Sequence, residues 1–126
     1  FKGLAFSKKN TQGHLVTIIK GCVFDVTVDL RRNSKTFAKF ASLELSEDGV
    51  RQVFLPIGCA HGFQVISQEA IIHYKLTDYY SKENEAGIRW DDPHLGINWP
   101  NKKPIISSKD KHLPSFNDIE INEDLF

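Results

Sequence analysis

The residues from position 22 to position 30 place an apolar side chain at every second position, and this pattern constrains the fold more than any other feature of the sequence. A period of two gives separate faces only to an extended strand. The apolar set is Cys22, Phe24, Val26, Val28 and Leu30. The mixed set is Val23, Asp25, Thr27 and Asp29. A strand with one apolar and one mixed face is typical of an antiparallel sheet that covers a core on one side.

Neighbouring segments show the same period-two pattern of side chains and are separated by polar turns. Turns are predicted at 31–34, which includes an asparagine and a serine, and at 46–49, which includes a serine, an aspartate and a glycine. The predicted strands are 14–20, 22–30, 36–45, 51–56, 61–67 and 70–78, and residues 1–6 read as the middle of another. Short strands at this spacing predict an all-β fold, a sandwich or barrel of the jelly-roll kind.

The composition changes after residue 80. The polar segment 81–86 predicts a helical turn, and prolines at 93, 100 and 104 then indicate extended loops wrapped on the barrel. The acidic segment 117–126 is expected to be a frayed tail. A length of 126 residues fits one domain, so we expect a single domain over 1–126 with a loop-rich C-terminal segment over 81–126. The chain begins at Phe1 and contains no methionine, which predicts that further N-terminal strands precede it.

Charge and composition exclude several classes of function. The 16 basic residues balance the 16 acidic ones, and no basic patch dominates, which argues against nucleic-acid binding. No apolar run approaches the roughly 18 residues of a membrane span, so no membrane association is expected. Cys22 and Cys59 lack paired spacing. Reduced cysteines of this kind indicate a cytoplasmic protein.

A Pro-x-Gly-x-x-His turn over residues 56–61 leads into a predicted strand and resembles the second motif of the cupins. The proline and glycine favour a tight turn that aims His61 into the barrel. Metal-binding cupins combine this histidine with a His-x-His pair and a glutamate, and this chain has no His-x-His. Neither a metal nor another cofactor is therefore expected. The alternative interpretation is a buried histidine whose ring is satisfied by backbone groups.

Side-chain alternation places two polar groups inside the barrel. His61 shares a face with Phe63, and Tyr74 shares a face with Ile72 and Leu76. Polar tips that point into an apolar interior need partners, so two of them on successive strands indicate a ligand pocket. The alternative is a pair of core residues whose polar atoms bond to the protein itself.

Further segments, in order along the chain, resemble one enzyme family. They are GCVFDVTVDLR (21–31), SKTF (34–37), AHGF (60–63), YKLTDYY (74–80), GIRWDDP (87–93), GINWP (96–100) and SSKD (107–110). FKGLAF (1–6) is similar to a strand motif Arg-Gly-Leu-His-Phe. Together they resemble the dTDP-4-dehydrorhamnose 3,5-epimerase family over residues 1 to 115. The resemblance implies a cupin-like jelly roll that forms a homodimer.

The resemblance also implies a substrate and a set of roles. The substrate class is a nucleoside-diphosphate 4-keto-6-deoxyhexose, whose ketone acidifies the protons on C3 and C5. A base removes a proton to form an enolate, and an acid returns a proton to the opposite face. Tyr74 matches the acid, and Asp110 matches the aspartate that orients the catalytic histidine. His61, Glu85 and Lys109 match substrate-binding positions.

Three positions depart from the family pattern. Ala5 replaces the histidine base, whose loss removes a contribution of about 10²–10⁴-fold to the rate. Lys2 replaces an arginine that binds the diphosphate, and lysine lacks the bidentate fork. His14 replaces a lysine that stabilises the enolate. His14 is a possible substitute base, or it begins a strand at a solvent-exposed edge.

These departures leave several functions open. The chain is expected to be a 3,5-epimerase whose activity Ala5 weakens or alters. Alternatives are a non-catalytic paralogue that binds a sugar nucleotide and an engineered base knock-out of an active epimerase. The coincident changes at Lys2 and His14 favour natural divergence. A cupin keto-sugar isomerase ranks last, because its histidine pair is not evident in the sequence.

Overall fold

A computed structural model of the chain describes residues 1–7, 13–77 and 82–122. The strands in these ranges are β1 (Lys2–Ser7), β2 (His14–Lys20), β3 (Cys22–Asp29), β4 (Phe40–Ser46), β5 (Gln52–Leu55), β6 (Cys59–Val65), β7 (Ile71–Leu76) and β8 (Glu85–Ile88). A 3₁₀ turn at Lys82–Asn84 precedes β8, and two short helices follow, α1 (Ser108–Lys111) and α2 (Phe116–Asn122). The predicted all-β class is confirmed. Residue 78 of the predicted strand 70–78, residue 81 of the predicted helical turn 81–86 and residues 123–126 of the predicted tail lie outside the described ranges.

The strands form two antiparallel sheets. The larger sheet has the order β4-β3-β6-β1-β8, and the smaller has the order β5-β2-β7. A cluster of buried side chains joins them, with Val16 and Ile18 from β2 packed with Val23 of β3 and Leu45 of β4. The two sheets therefore face each other across an interior, as the jelly-roll prediction requires.

β3 is buried on both faces, which goes beyond the expectation of a strand with one covered side. The side chains of its mixed set, including Asp25, face the smaller sheet. The apolar set contributes Val26 and Val28 to a second core cluster, where they lie with Trp99 and Phe116 of the C-terminal segment. Burying each such large side chain contributes about 1.5–3 kcal/mol. The C-terminal segment therefore forms the outer cover of the larger sheet.

The prediction of loops and a frayed tail for the C-terminal segment is wrong in two places. β8 pairs with β1 along its length, from Leu4 opposite Ile88 to Ser7 opposite Glu85. The acidic segment from residue 117 to residue 122 belongs to α2, because Phe116 and Ile119 lie on one helical face and are buried. No helix in the described ranges combines the length and apolar character that crossing a membrane requires.

The strand predicted over 36–45 begins later, at Phe40. The Asp29 carboxylate accepts hydrogen bonds from the Arg31 backbone N–H and from the hydroxyls of Ser34 and Thr36. These bonds hold the chain in turns after residue 31, and Ala38 then adopts a φ of 63°. The predicted turn at 31–34 therefore extends almost to β4.

Candidate active site

One face of the larger sheet carries most of the candidate residues. Ala5 of β1 lies opposite His61 of β6, and Lys2 lies opposite Phe63. On the other side of β6, Asp25 of β3 also lies opposite Phe63. Directly opposed residues of an antiparallel pair project from the same face. The register therefore directs these side chains into the interior between the two sheets.

His61 and Asp25 form a buried pair in this interior. Nε2 of His61 lies 2.5 Å from Oδ2 of Asp25, and the two side chains are 2% and 4% exposed. Because an ionised carboxylate only accepts hydrogen bonds, the ring donates its Nε2–H to Asp25. The other ring nitrogen, Nδ1, is buried without a hydrogen-bond partner among the described residues. Its lone pair is therefore available to a bound molecule.

Tyr74 approaches the same place from the smaller sheet. It lies on β7 opposite the buried Val16, and its ring centroid is 6.4 Å from that of His61. Its hydroxyl is buried and has no hydrogen-bond partner within the described ranges. Burial and the nearby Asp25 carboxylate raise the pKa of Tyr74. The phenol therefore stays protonated at neutral pH and can donate a proton or a hydrogen bond.

His14 completes this group from β2, on the face that also carries Val16 and Ile18. Its ring centroid lies 6.5 Å from that of His61. Burial, with the positive charge of Lys2 and the His61 ring, lowers the pKa of His14 to about 4. The imidazole is consequently neutral at pH 7 and offers none of the positive charge that a lysine would. His14 is half-buried at the first residue of β2, with its ring beside that of His61.

Lys2 connects this group to a neighbouring pocket. Its Nζ lies 5.3 Å from the centroid of the Tyr74 ring, within the range of a cation–π contact. Burial lowers the pKa of Lys2, and the carboxylates of Glu85, Asp25 and Asp110 oppose that shift. The ammonium group therefore lies among three acidic side chains, at a place where a ligand anion would have to compete with them.

The pocket has a volume of about 170 Å³ and is lined by Lys2, Ala5, Glu85, Lys109 and Asp110, among others. We call it the β1 pocket. Asp110 lies on α1, and its Oδ2 accepts a hydrogen bond of 3.1 Å from the backbone N–H of Gly3. A Cβ atom on Gly3 would lie 2.8 Å from Cγ of Asp110. Only glycine at this position lets β1 approach the carboxylate so closely.

An ion pair lies at the rim of the β1 pocket. Nζ of Lys109 is 2.9 Å from Oε1 of Glu85, and the two side chains are 63% and 22% exposed. Exposed pairs of this kind contribute about 0–1 kcal/mol. The pair itself therefore contributes little to the stability of the fold.

The structure brings the predicted site residues together in two adjoining groups. His14, His61 and Tyr74 surround the interior, Lys2 borders both groups, and the remaining predicted residues line the β1 pocket. Asp25 was not among the site residues predicted from the sequence. Its signal was a single carboxylate at a buried-strand position between two apolar neighbours. Among the described residues, no group of three histidine, cysteine or acidic side chains is arranged to hold a metal ion.

Comparisons with known proteins identify the family to which the chain is similar. A family model described as dTDP-4-dehydrorhamnose 3,5-epimerase matches residues 1–118. The chain is 46% identical over 114 residues to the dTDP-4-dehydrorhamnose 3,5-epimerase of Methanothermobacter thermautotrophicus, a match covering 88% of this chain and 62% of the relative. It is 41% identical over 123 residues to that of Sinorhizobium fredii, covering 96% and 63%. The chain thus spans about three fifths of the length of these relatives.

A solved structure shares the fold. The dTDP-6-deoxy-D-glucose-3,5-epimerase of Legionella pneumophila superposes with a TM-score of 0.91 at 40% identity, covering 98% of this chain and 67% of that one. That protein was solved in complex with dTDP-4-keto-L-rhamnose.

Proposed function

The chain belongs to the dTDP-4-dehydrorhamnose 3,5-epimerase family, and from that premise we propose that it binds a nucleoside-diphosphate 4-keto-6-deoxyhexose and exchanges the protons beside the ketone. The observation that carries the proposal is a pair of buried polar atoms without hydrogen-bond partners among the described residues, Nδ1 of His61 and the hydroxyl of Tyr74. They lie on facing sheets, with ring centroids 6.4 Å apart. A ligand between them would satisfy both atoms.

The chemistry follows from the ketone. Its electron-withdrawing carbonyl acidifies the hydrogens on the two adjacent ring carbons, C3 and C5. Removal of one proton leaves an enolate, and protonation from the other face inverts the carbon. The pKa of Tyr74 is raised by burial, so its hydroxyl keeps the proton that this second step needs. Tyr74 is the proposed acid.

We propose that the diphosphate binds at the β1 pocket. Lys2 and Lys109 supply its positive charge, and Glu85 holds Lys109 until the ligand arrives. A lysine binds phosphate as a point charge, whereas the arginine of the family pattern would make two parallel hydrogen bonds. Binding is therefore weaker than in a relative that carries arginine at this position.

The rate is also lower than in a relative with histidine at the position of Ala5. Asp110 lines the same pocket as Ala5 and retains the bond from Gly3, but it has no imidazole at residue 5 to orient. This same observation favours the second candidate function, a paralogue that binds the sugar nucleotide without reacting it. The two candidates differ in whether carbon-bound hydrogen exchanges with solvent.

The test uses dTDP-4-keto-6-deoxyglucose in D₂O, with calorimetry for binding and NMR for deuterium incorporation at C3 and C5. We expect binding together with incorporation that depends on protein concentration. Tyr74→Phe should keep binding and lower incorporation. Binding without incorporation would support the non-catalytic paralogue, and an absence of binding would overturn both candidates.

We further propose that the protein acts as a homodimer in the cytoplasm. Leu43 of β4 lies opposite Asp25, so its side chain is on the interior face, yet it is 41% exposed. An apolar residue at such a sheet edge supports coverage by a second subunit. Cys22 and Cys59 are free thiols, which supports a reducing compartment. Light scattering of the purified protein should give twice the mass of the chain, and a monomeric mass would contradict the dimer.

A further inference from the structure

The buried pair of His61 and Asp25 has the arrangement of a working base, and the loss of histidine at residue 5 leaves the site in need of one. We propose that His61 is the general base of this chain, with Asp25 as its positioning residue. This inference rests on the proposed function, because it names the group that removes the proton in that reaction.

The Asp25 carboxylate fixes the orientation of the His61 ring. Asp25 accepts the Nε2–H at 2.5 Å, which keeps the proton on Nε2 and leaves the lone pair on Nδ1. A base oriented by a third group in this way is the arrangement that activates histidine in many enzymes. The carboxylate also stabilises the imidazolium that forms when Nδ1 takes up a proton.

Nδ1 of His61 is buried and lacks a hydrogen-bond partner among the described residues. It belongs to a side chain that is 2% exposed. A purely structural histidine would normally have this atom satisfied, because a buried acceptor without a partner destabilises the fold. Ala5 lies directly opposite His61, and its small side chain leaves room for a sugar carbon beside the ring.

The other imidazole at the site, that of His14, is a poorer base than His61. Burial, Lys2 and His61 lower the pKa of His14 to about 4, so its nitrogen has a low affinity for a proton. Among the described residues, the cross-strand neighbours of His14 are Leu55 and Leu76, and neither carries a carboxylate that could orient its ring as Asp25 orients that of His61. His14 therefore contributes to the shape of the interior and not to the proton transfer.

Nδ1 of His61 takes the proton from C3 or C5, and the C–H electron pair becomes the enolate double bond while the ketone oxygen gains the negative charge. Tyr74 then donates its hydroxyl proton to the same carbon from the opposite face, and the carbonyl re-forms. The imidazolium returns its proton to water, and the tyrosinate regains one from water, which restores the starting state.

The experiment measures deuterium incorporation into dTDP-4-keto-6-deoxyglucose by the unmodified chain and by single variants. We expect His61→Gln to lower the exchange rate at least ~10²-fold, the lower end for loss of a positioned base. Asp25→Asn should lower kcat for exchange with little change in KM, and Asp25→Glu should restore part of it. The matched control is His73→Gln, the same change at an exposed position on β7, which should stay within about twofold.

Different results would contradict the role of His61 alone or the proposed function as a whole. Exchange by the unmodified chain that persists in His61→Gln and disappears in His14→Gln would overturn the inference and leave the proposed function intact. Binding without any exchange by the unmodified chain would overturn both. If His61→Gln does not fold, Asp25→Asn and the NMR signal of the His61 Nε2–H decide the question. A downfield signal that Asp25→Asn abolishes together with exchange supports the inference, and unchanged exchange in that variant contradicts it.

Discussion

Restoring a histidine at residue 5 is the perturbation that probes the site most informatively. Ala5 projects from the interior face of β1, opposite His61, and lines the β1 pocket together with Asp110. The Asp110 carboxylate is held in place by the N–H of Gly3 and by its position in α1, whose first turn is capped by Ser107. A new imidazole in Ala5→His therefore meets an oriented carboxylate in a pocket of about 170 Å³.

The expected magnitude follows from these contacts. A positioned general base contributes about 10²–10⁴-fold to a proton transfer, which corresponds to about 2.7–5.5 kcal/mol of barrier. Because the partner carboxylate is already in place, we expect Ala5→His to increase exchange at C3 or C5 above the rate that His61 supports in the unmodified chain, by up to ~10²-fold. The hydrogen bond to Asp110 should offset the cost of burying the imidazole, so the free energy of unfolding should change by about 1 kcal/mol or less.

The assay compares the unmodified chain, Ala5→His and the double variant Ala5→His with Asp110→Asn. NMR in D₂O gives the rate of exchange, and urea unfolding shows whether each protein is folded. Ala5→Gln serves as the control, because it adds a polar side chain of similar reach that cannot act as a base. The reasoning is refuted if Ala5→His binds the sugar nucleotide and folds normally while its exchange rate matches that of Ala5→Gln.

Three further predictions concern binding and stability. Lys2→Arg should tighten sugar-nucleotide binding about 5–30-fold in calorimetry, equivalent to about 1–2 kcal/mol from the bidentate contact, and an unchanged Kd would show that residue 2 does not reach the phosphates. Asp29→Asn should lower the free energy of unfolding at pH 7 by about 1.5–3 kcal/mol. Burial would raise the pKa of Asp29, but the hydrogen bonds to its carboxylate lower that pKa below the ordinary 3.8. The stabilisation from the Asp29 carboxylate is therefore complete above pH 3.8 and is lost as the pH falls below 3.8. If the difference in the free energy of unfolding between the unmodified chain and Asp29→Asn does not change with pH, the ionised Asp29 carboxylate is not the source of this stabilisation. Gly62→Ala should lower the free energy of unfolding by about 1–3 kcal/mol, because the added Cβ would lie 2.8 Å from the backbone oxygen of Lys2. The control is Gly49→Ala, whose Cβ meets only a serine hydroxyl, and it should lower the free energy of unfolding by less in the same urea titration.

The strands and their faces were largely readable from the sequence, because a period of two is a local property of the chain. That pattern predicted β2, β3 and β6 closely and directed His61 and Tyr74 toward the interior. β8 was missed because it has four residues, including an alanine and a glycine, and it becomes a strand only by pairing with β1. α2 was missed because its apolar face consists of Phe116 and Ile119 within an acidic segment.

The site could be predicted as a set of residues but not as a set of contacts. The family motif supplied most of the positions, since each lies within a recognisable segment. The bond between Asp25 and His61 joins residues 36 positions apart, and only the register of β3 against β6 brings them together. The contact of Gly3 with Asp110 spans 107 positions and depends on where α1 packs. Distances of this kind are set by tertiary packing, which no local pattern encodes.

A crystal structure of the unmodified chain with dTDP-4-keto-6-deoxyglucose would test the central claim most directly. The measurement is the distance from Nδ1 of His61 to C3 and C5 of the sugar. Our account predicts that one of these carbons lies about 3–3.5 Å from Nδ1, the separation of a reactive pair, with the Tyr74 hydroxyl on the opposite face of the sugar ring. A sugar bound outside the interior, or with both carbons turned away from His61, would contradict it.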